Sequence, residues 1–248
     1  MQKIPDTYSE PSEVSCTVLY DSVSMVNGLK TGKGFSCLIQ TGDYSVLFDT
    51  GNDGSILLRN LGMLGYNPEN IEIVFISHNR YGHVGGLEDF LSLNPNVDVY
   101  VPGGFPDSVY ETIKNKALRV NKVTEAAEVK PNLFTLGEFA GIFREQAIAI
   151  RTIKGIMVIV GCAHHGSIKI LERTQEIFPD DIIYLVLGGF HFMGLSEMEK
   201  EQILSFFQKI GIKKVAPCHC CDEACRKRFE EVYGKNYIEM GVGGVIKV

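Results

Sequence analysis

Six histidines and a cluster of cysteines are the side chains of this chain best suited to do chemistry. His78 and His83 stand in "SHNRYGHVGGL", His164 and His165 in "GCAHHG", His191 in "LGGFH" and His219 in "PCHCC". Imidazole binds divalent transition metals and moves protons near neutral pH. Each histidine comes at or just past the end of an apolar run: "IVFIS", "IMVIVGCA", "YLVLGGF" or "KKVAPC". A lone histidine there is usually structural. Four run ends all carrying one point to a shared pocket, because layered α/β folds build their sites in the loops past their strands. The seven cysteines are an odd number, and Cys218, Cys220, Cys221 and Cys225 lie close together. That suits free thiols, metal binding or redox chemistry better than a secreted disulfide framework. The spacing matches no standard zinc ribbon. Cys220 or Cys221 could still supply a thiolate beside His219, while Cys218 fits equally a buried strand and Cys225 a helix.

The elements that would position these residues can be read from pattern. "EVSCTVLYD" reads as a strand and "GFSCLIQTGDYSVLFDTG" as a hairpin turning at Thr41–Asp43. "SILLRNLGMLG" has helical spacing. "IEIVFISH" and "VDVYVPG" read as strands, with helices starting at "GGLEDFLSL" and near Pro106–Lys116. Residues 118–140 show no clear pattern. A second hairpin, "QAIAIRTIKGIMVIVGCAHHG", turns at Lys154-Gly155 and leads to a helix capped by Ser167. Strand "DIIYLVLGGFH", helix "SEMEKEQILSFFQKIG", strand "KKVAPCHCC", helix "DEACRKRFEEVYG" and strand "GGVIKV" follow. A hairpin leading each half, then strand–helix alternation, predicts a four-layer αββα sandwich over one domain, residues 1–248. The 248 residues suffice for such a core, and 45% hydrophobic with 22% charged residues is ordinary globular composition. A formal charge of −6 argues against nucleic-acid or anionic-membrane partners. "MQKIPDTYSEPSEV" has no apolar signal region, and no run approaches the roughly 18 apolar residues of a membrane span. The expectation is a cytoplasmic protein; the sequence carries no sign of an oligomeric state.

The ordered motifs resemble the metallo-β-lactamase superfamily, and within it the branch that includes dihydropterin ribofuranosyl-aminobenzene phosphate synthases. "VLFDTGNDGSILLRNLGMLG" is similar to that branch's first motif, with Asp49 as its early aspartate. "SHNRYGHVGGL" stands where the family has Ser-His-x-His-x-Asp-His-x-Gly-Gly. "GCAHHG", "LGGFH" and "PCHCC" resemble three further motifs. The likeness runs from about residue 14 to the C-terminus. It implies the αββα fold, metal ligands at His78, His83, His164 and His219, and catalytic or supporting roles for His191 and Asp49. It also implies a divalent transition metal such as zinc, and a pterin or phosphate-ester substrate. The departures fall at the metal. Arg80 replaces the histidine that would join His78 and His164 around one ion. Gly82 replaces the aspartate that would join His83 and His219 around the other.

Arginine cannot take that place: its pKa exceeds about 12 and it offers no lone pair. Unit charges 4 Å apart repel by roughly 4 kcal/mol at an effective dielectric of 20, and a dication by about twice that. Gly82 removes a neutralising carboxylate. Zinc catalysis usually needs three protein ligands and an open position, so at most one ion per chain is expected, or none. Arg80 could instead salt-bridge Glu88 or Asp89, or clamp a phosphate or carboxylate bidentately. Tyr81 is a candidate to line the pocket and contact substrate. His165 fits a spare ligand, a proton-transfer group or an exposed residue. Asp49 fits a role holding a loop or a histidine tautomer. Three functions remain open: a metal-dependent hydrolase or transferase with an altered site and a small anionic substrate, a catalytically silent anion- or metabolite-binding protein, and a thiol-based metal or redox module.

Overall fold

The computed structural model describes residues 9–11 and 13–248; most of the N-terminal stretch read for targeting signals lies outside them. One sheet has seven strands: β1 (Ser15–Tyr20), β2 (Ser36–Gln40), β3 (Ser45–Phe48), β4 (Ile73–Phe75), β5 (Asp98–Pro102), β6 (Arg119–Val123) and, beside β1, the last strand. The other has six: β7 (Ala126–Lys130), β8 (Leu133–Phe139), β9 (Glu145–Thr152), β10 (Gly155–Val160), β11 (Ile183–Gly188) and β12 (Lys214–Pro217). The last strand of the first sheet is β13 (Val245–Lys247).

Period-two burial explains the layering. Within β10, Met157 and Ile159 join a cluster that also holds Val46, Phe48 and Phe75 of the first sheet. Ile156, Val158 and Val160 face the other way, into a cluster with Ile170, Phe207 and Phe229. Those three residues lie on the helices α5 (Ser167–Ile177), α6 (Glu197–Lys209) and α7 (Glu223–Tyr233). On the first sheet, Leu47 and Val74 turn outward toward Leu57, Leu61 and Phe90, carried by α1 (Gly54–Met63) and α3 (Leu87–Leu93). Strands buried on both faces read as continuous apolar runs, which is why both hairpins were legible. The result is two sheets face to face with helices outside, the expected αββα sandwich. The two remaining helices are α2 (Tyr81–Val84) and α4 (Asp107–Lys114).

Two local expectations differ from the structure. Residues 118–140 contain β6, β7 and β8. β6 and β7 are sheet-edge strands with mixed exposure, so they lack a buried stripe to reveal them. Ser167 does not cap α5: Gly166, at φ 88°, is the cap, and the buried Ser167 Oγ finds no hydrogen-bond partner. Among the described residues no helix is long and apolar enough to cross a membrane.

For the site, what matters is direction. β3–β4–β5–β6 run parallel, as do β10–β11–β12. Their C-terminal ends therefore share one rim, and Asp49, His78, His164, His191 and His219 all leave from strand ends there.

Candidate metal centre

The rim is built on strained backbone. Five described non-glycine residues have positive φ, and four of them belong to it: Asp49 (56°), Ala163 (59°), His191 (53°) and His219 (52°). Each such conformation costs about 1–3 kcal/mol and persists only where surrounding contacts enforce it, as at functional sites.

Asp49 organises the interior. It is fully buried; Oδ1 accepts the Ser77 N–H at 2.7 Å and Oδ2 accepts the Ser77 hydroxyl at 2.7 Å. Oδ2 also lies 2.6 Å from His83 Nδ1. A carboxylate only accepts, so His83 donates from Nδ1, leaving Nε2 as the ring nitrogen available to a metal. Ser77 has spent its one proton on Asp49, so the 2.9 Å contact to His78 Nδ1 is donated by His78. Burial keeps His78 neutral, so its Nε2 is bare. Asp49, which the sequence reading gives a role in holding a loop or a histidine tautomer, thus contacts both Ser77 and His83.

The imidazoles then fall into pairs. His78 Nε2 is 3.2 Å from His164 Nε2, and His83 Nε2 is 3.2 Å from His219 Nε2. The His78 and His83 rings are 4.1 Å apart, and His191 stands 4.7 Å from His164. Burial, then the neighbouring imidazoles, push His78 well below the usual histidine range. Burial, His191 and Arg80 lower His164 to about 3, and burial and His83 lower His219. These rings are neutral at pH 7, the form that binds metal. Two nitrogens on a tetrahedral ion with bonds near 2.05 Å lie about 3.3 Å apart, so both pairs fit a shared cation.

A thiol completes both. Cys162 joins His78 and His164 in one trio and His83 and His219 in another, with the ligand atoms of each trio within 4.8 Å of one another. Its Sγ is 3.3 Å from His83 Nε2. The neighbouring Cys220 sulfur, then burial, push the Cys162 thiol up. Sequence reasoning missed this residue although it sits inside "GCAHHG"; the signal was a cysteine at a buried strand end, two positions before a candidate ligand. The cysteines weighed as replacement ligands contact the backbone and lie outside both trios. Cys220 and Cys221 accept the backbone N–H groups of His191 and Phe190, and Cys218 donates to the Ala216 carbonyl. Cys225 is buried on α7. His165 is half-buried, with its Nε2 tied to the Phe143 carbonyl at 2.6 Å, and it is in neither trio.

Arg80 points into the site. Its Nη1 lies 3.4 Å from His164 Nε2, and the guanidinium sits 4.8 Å from the Phe143 ring centre. The alternative pairing with Glu88 does not form, because Glu88 pairs with Lys116; among the described residues Arg80 has no carboxylate partner within 4.0 Å. Tyr81 is 72% exposed, and with Arg80, Lys33, His83, Cys162 and His219 it lines a cavity of about 390 Å³. Lys33, between two glycines just before β2, was not singled out by its sequence context. A second cavity, of about 480 Å³, opens on the His164–His191 side against Phe190, Leu195 and Ile203. Burial raises Glu145, beneath the Cys162–His164 loop, to about 7; its Oε1 accepts the Ala163 N–H at 2.9 Å and its Oε2 has no partner.

Comparison with known proteins agrees with this fold. The 7,8-dihydropterin-6-methyl-4-(beta-D-ribofuranosyl)-aminobenzene-5'-phosphate synthase of Methanocaldococcus jannaschii is 24% identical, over 82% of this chain and 84% of its own. An uncharacterized protein of the same organism is also 24% identical, over 87% and 93%. The crystal structure of Tm1679, described as a metal-dependent hydrolase of the beta-lactamase superfamily, superposes with TM-score 0.79 at 28% identity, covering 95% of this chain and 99% of that one. Residues 29–167 match the metallo-beta-lactamase superfamily as a family, and the chain belongs to it.

Proposed function

We propose that the chain is a metal-dependent hydrolase or transferase with an altered centre of at most one ion, acting on a small anionic substrate. The observation that carries this is the pairing of four imidazoles with Cys162 beside a cavity that also holds Arg80 and Lys33. A divalent ion there would supply Lewis-acid polarisation and an acidified water. The chain's own residues bind and orient. Arg80 and Lys33 offer cations to a phosphate or carboxylate, Arg80 bidentately. Tyr81 presents a hydroxyl at the cavity mouth. Asp49 fixes His83, and His191, whose pKa the Cys220 side chain raises, can hold a proton beside the reacting groups. The cavity of about 480 Å³ suits the body of a substrate such as a pterin, the class named for the Methanocaldococcus jannaschii relative.

A second reading has its own support. Arg80 Nη1 lies 3.4 Å from His164 Nε2, where it opposes an ion and favours an anion. The protein would then bind an anionic metabolite without turning it over. Metal content after purification without added metal, followed by hydrolysis of phosphodiester and carboxylic-ester probes, separates the two. One ion per chain with activity abolished by chelation supports the enzyme. Phosphate binding that is unchanged by chelation, with no turnover at any metal loading, supports the silent binder.

A further inference from the structure

We propose that the chain holds a single thiolate-ligated ion in the His83–Cys162–His219 trio, with the Cys162 sulfur taking the place of the carboxylate missing at position 82. The inference deepens the metal-dependent reading and rests on it. Two trios share one sulfur, and four observations favour the second.

The first is charge. Arg80 Nη1 is 3.4 Å from His164 Nε2, so an ion between His78 and His164 would meet a guanidinium at contact range. Among the described residues no cationic side chain is hydrogen-bonded to a ligand atom of the second trio. The second observation is tautomer control by a full carboxylate. Asp49 Oδ2 holds His83 Nδ1 at 2.6 Å, which raises ligand basicity and places a negative charge behind the ion. His78 has only the Ser77 hydroxyl in that position. The third is spacing. His83 Nε2 stands 3.2 Å from His219 Nε2 and 3.3 Å from Cys162 Sγ. A tetrahedral ion with one sulfur and two nitrogens would hold them about 3.3–3.5 Å apart. The fourth is access. The cavity of about 390 Å³ reaches His83, Cys162 and His219, leaving the fourth coordination position open.

The backbone supports the same assignment. His219 is held at φ 52° with its N–H donated to Asp21 Oδ2 at 2.9 Å. Asp21 is in turn paired with Arg226. Cys162 precedes Ala163, held at φ 59° with its N–H on Glu145. Both ligands are therefore fixed without an ion. A two-imidazole, one-thiolate set selects zinc, cobalt and similar ions, and discriminates against magnesium and calcium.

The test uses full-length protein stripped with chelator and titrated with Co²⁺, which reports sulfur ligation as a near-ultraviolet charge-transfer band. One equivalent is expected to produce that band. Cys162→Ser should lose it and weaken binding by at least about tenfold, and His219→Ala should do likewise. His164→Ala should keep the band, with affinity within about threefold of the parent. Co²⁺ binding by the parent without a sulfur band overturns the proposal, independently of how any variant folds, and leaves the metal-dependent reading standing. A band surviving in Cys162→Ser overturns it, as does His164→Ala losing binding as fully as His219→Ala. Failure of the parent to bind Co²⁺ or Zn²⁺ at all removes this inference and the metal-dependent reading together.

Discussion

At the residue scale, the chain keeps four family histidines and changes what stands between two of them. The histidines were legible because each follows an apolar run. The sulfur was not, because Cys162 converges on His83 only through the meeting of two sheets, which no linear spacing encodes. Arg80 has two separable consequences. If its guanidinium clamps an anion, Arg80→His should weaken phosphate binding by about 1.5–3 kcal/mol, the worth of a charge-assisted hydrogen bond, as read by titration calorimetry on metal-free protein. Unchanged affinity would make the guanidinium a bystander. Restoring both family ligands is a harder step. A Cβ on Gly82 would lie 3.2 Å from Gly34 Cα and 3.5 Å from the Lys33 carbonyl, so an aspartate needs the neighbouring turn to yield by a few tenths of an ångström. We expect Arg80→His/Gly82→Asp to raise zinc uptake from at most one to about two ions per chain, because each imidazole pair then gains a third ligand of its own beside the shared Cys162 sulfur. Elemental analysis showing no gain over the parent would count against the degenerate-site account.

At the element scale, buried central strands declared themselves and edge strands did not. "IMVIV" is apolar on both faces because sheet and helices sandwich it, whereas "RVNKV" in β6 carries mixed exposure at a sheet edge. The Ser167 cap misled for a local reason: the chain enters α5 through Gly166 in a left-handed conformation, which moves the cap back by one residue. One close approach between elements sets the position of α2 and with it His83. Gly34, at φ 141°, lies against the Gly82 carbonyl, which accepts the Phe35 N–H at 3.1 Å. A Cβ at position 34 would come within 2.1 Å of that carbonyl oxygen. Gly34→Ala should therefore cost about 2–4 kcal/mol in urea unfolding, combining a forbidden backbone conformation with overpacking. It should also reduce metal affinity by displacing His83. Gly42→Ala, which meets nothing within 4 Å, is the control and should shift stability by no more than about 1 kcal/mol.

At the scale of the whole molecule, the site is where the two sheets are stitched together. Gln146 donates its N–H to the Ser77 carbonyl, and its side-chain amide to the carbonyls of Ile76 and Tyr100, so the start of β9 is tied to the end of β4 and the middle of β5. Beside it, Glu145 pairs with His78 in a single bridge and props the loop of Cys162 and His164 from below. Composition could not show this: a charged and an amide side chain at a strand start carry no mark of burial, yet both residues are fully buried. Burying that carboxyl carries a pH signature. Desolvation holds Glu145 at about 7 against an ordinary 4.5, so the folded state takes up its proton more readily than the unfolded chain. Its contribution to stability is complete below pH 4.5 and is lost as pH rises through 7. That separation amounts to about 3 kcal/mol on the linkage relation. Glu145→Gln keeps the acceptor for the Ala163 N–H but cannot ionise. In chelator-treated protein the variant should match the parent to within about 1 kcal/mol at pH 5 and exceed it by about 2–3 kcal/mol at pH 8.5, by urea unfolding. A parent–variant difference that stays constant between those pH values would mean that Glu145 is ionised throughout and that its unpartnered oxygen is satisfied by charge rather than by a proton.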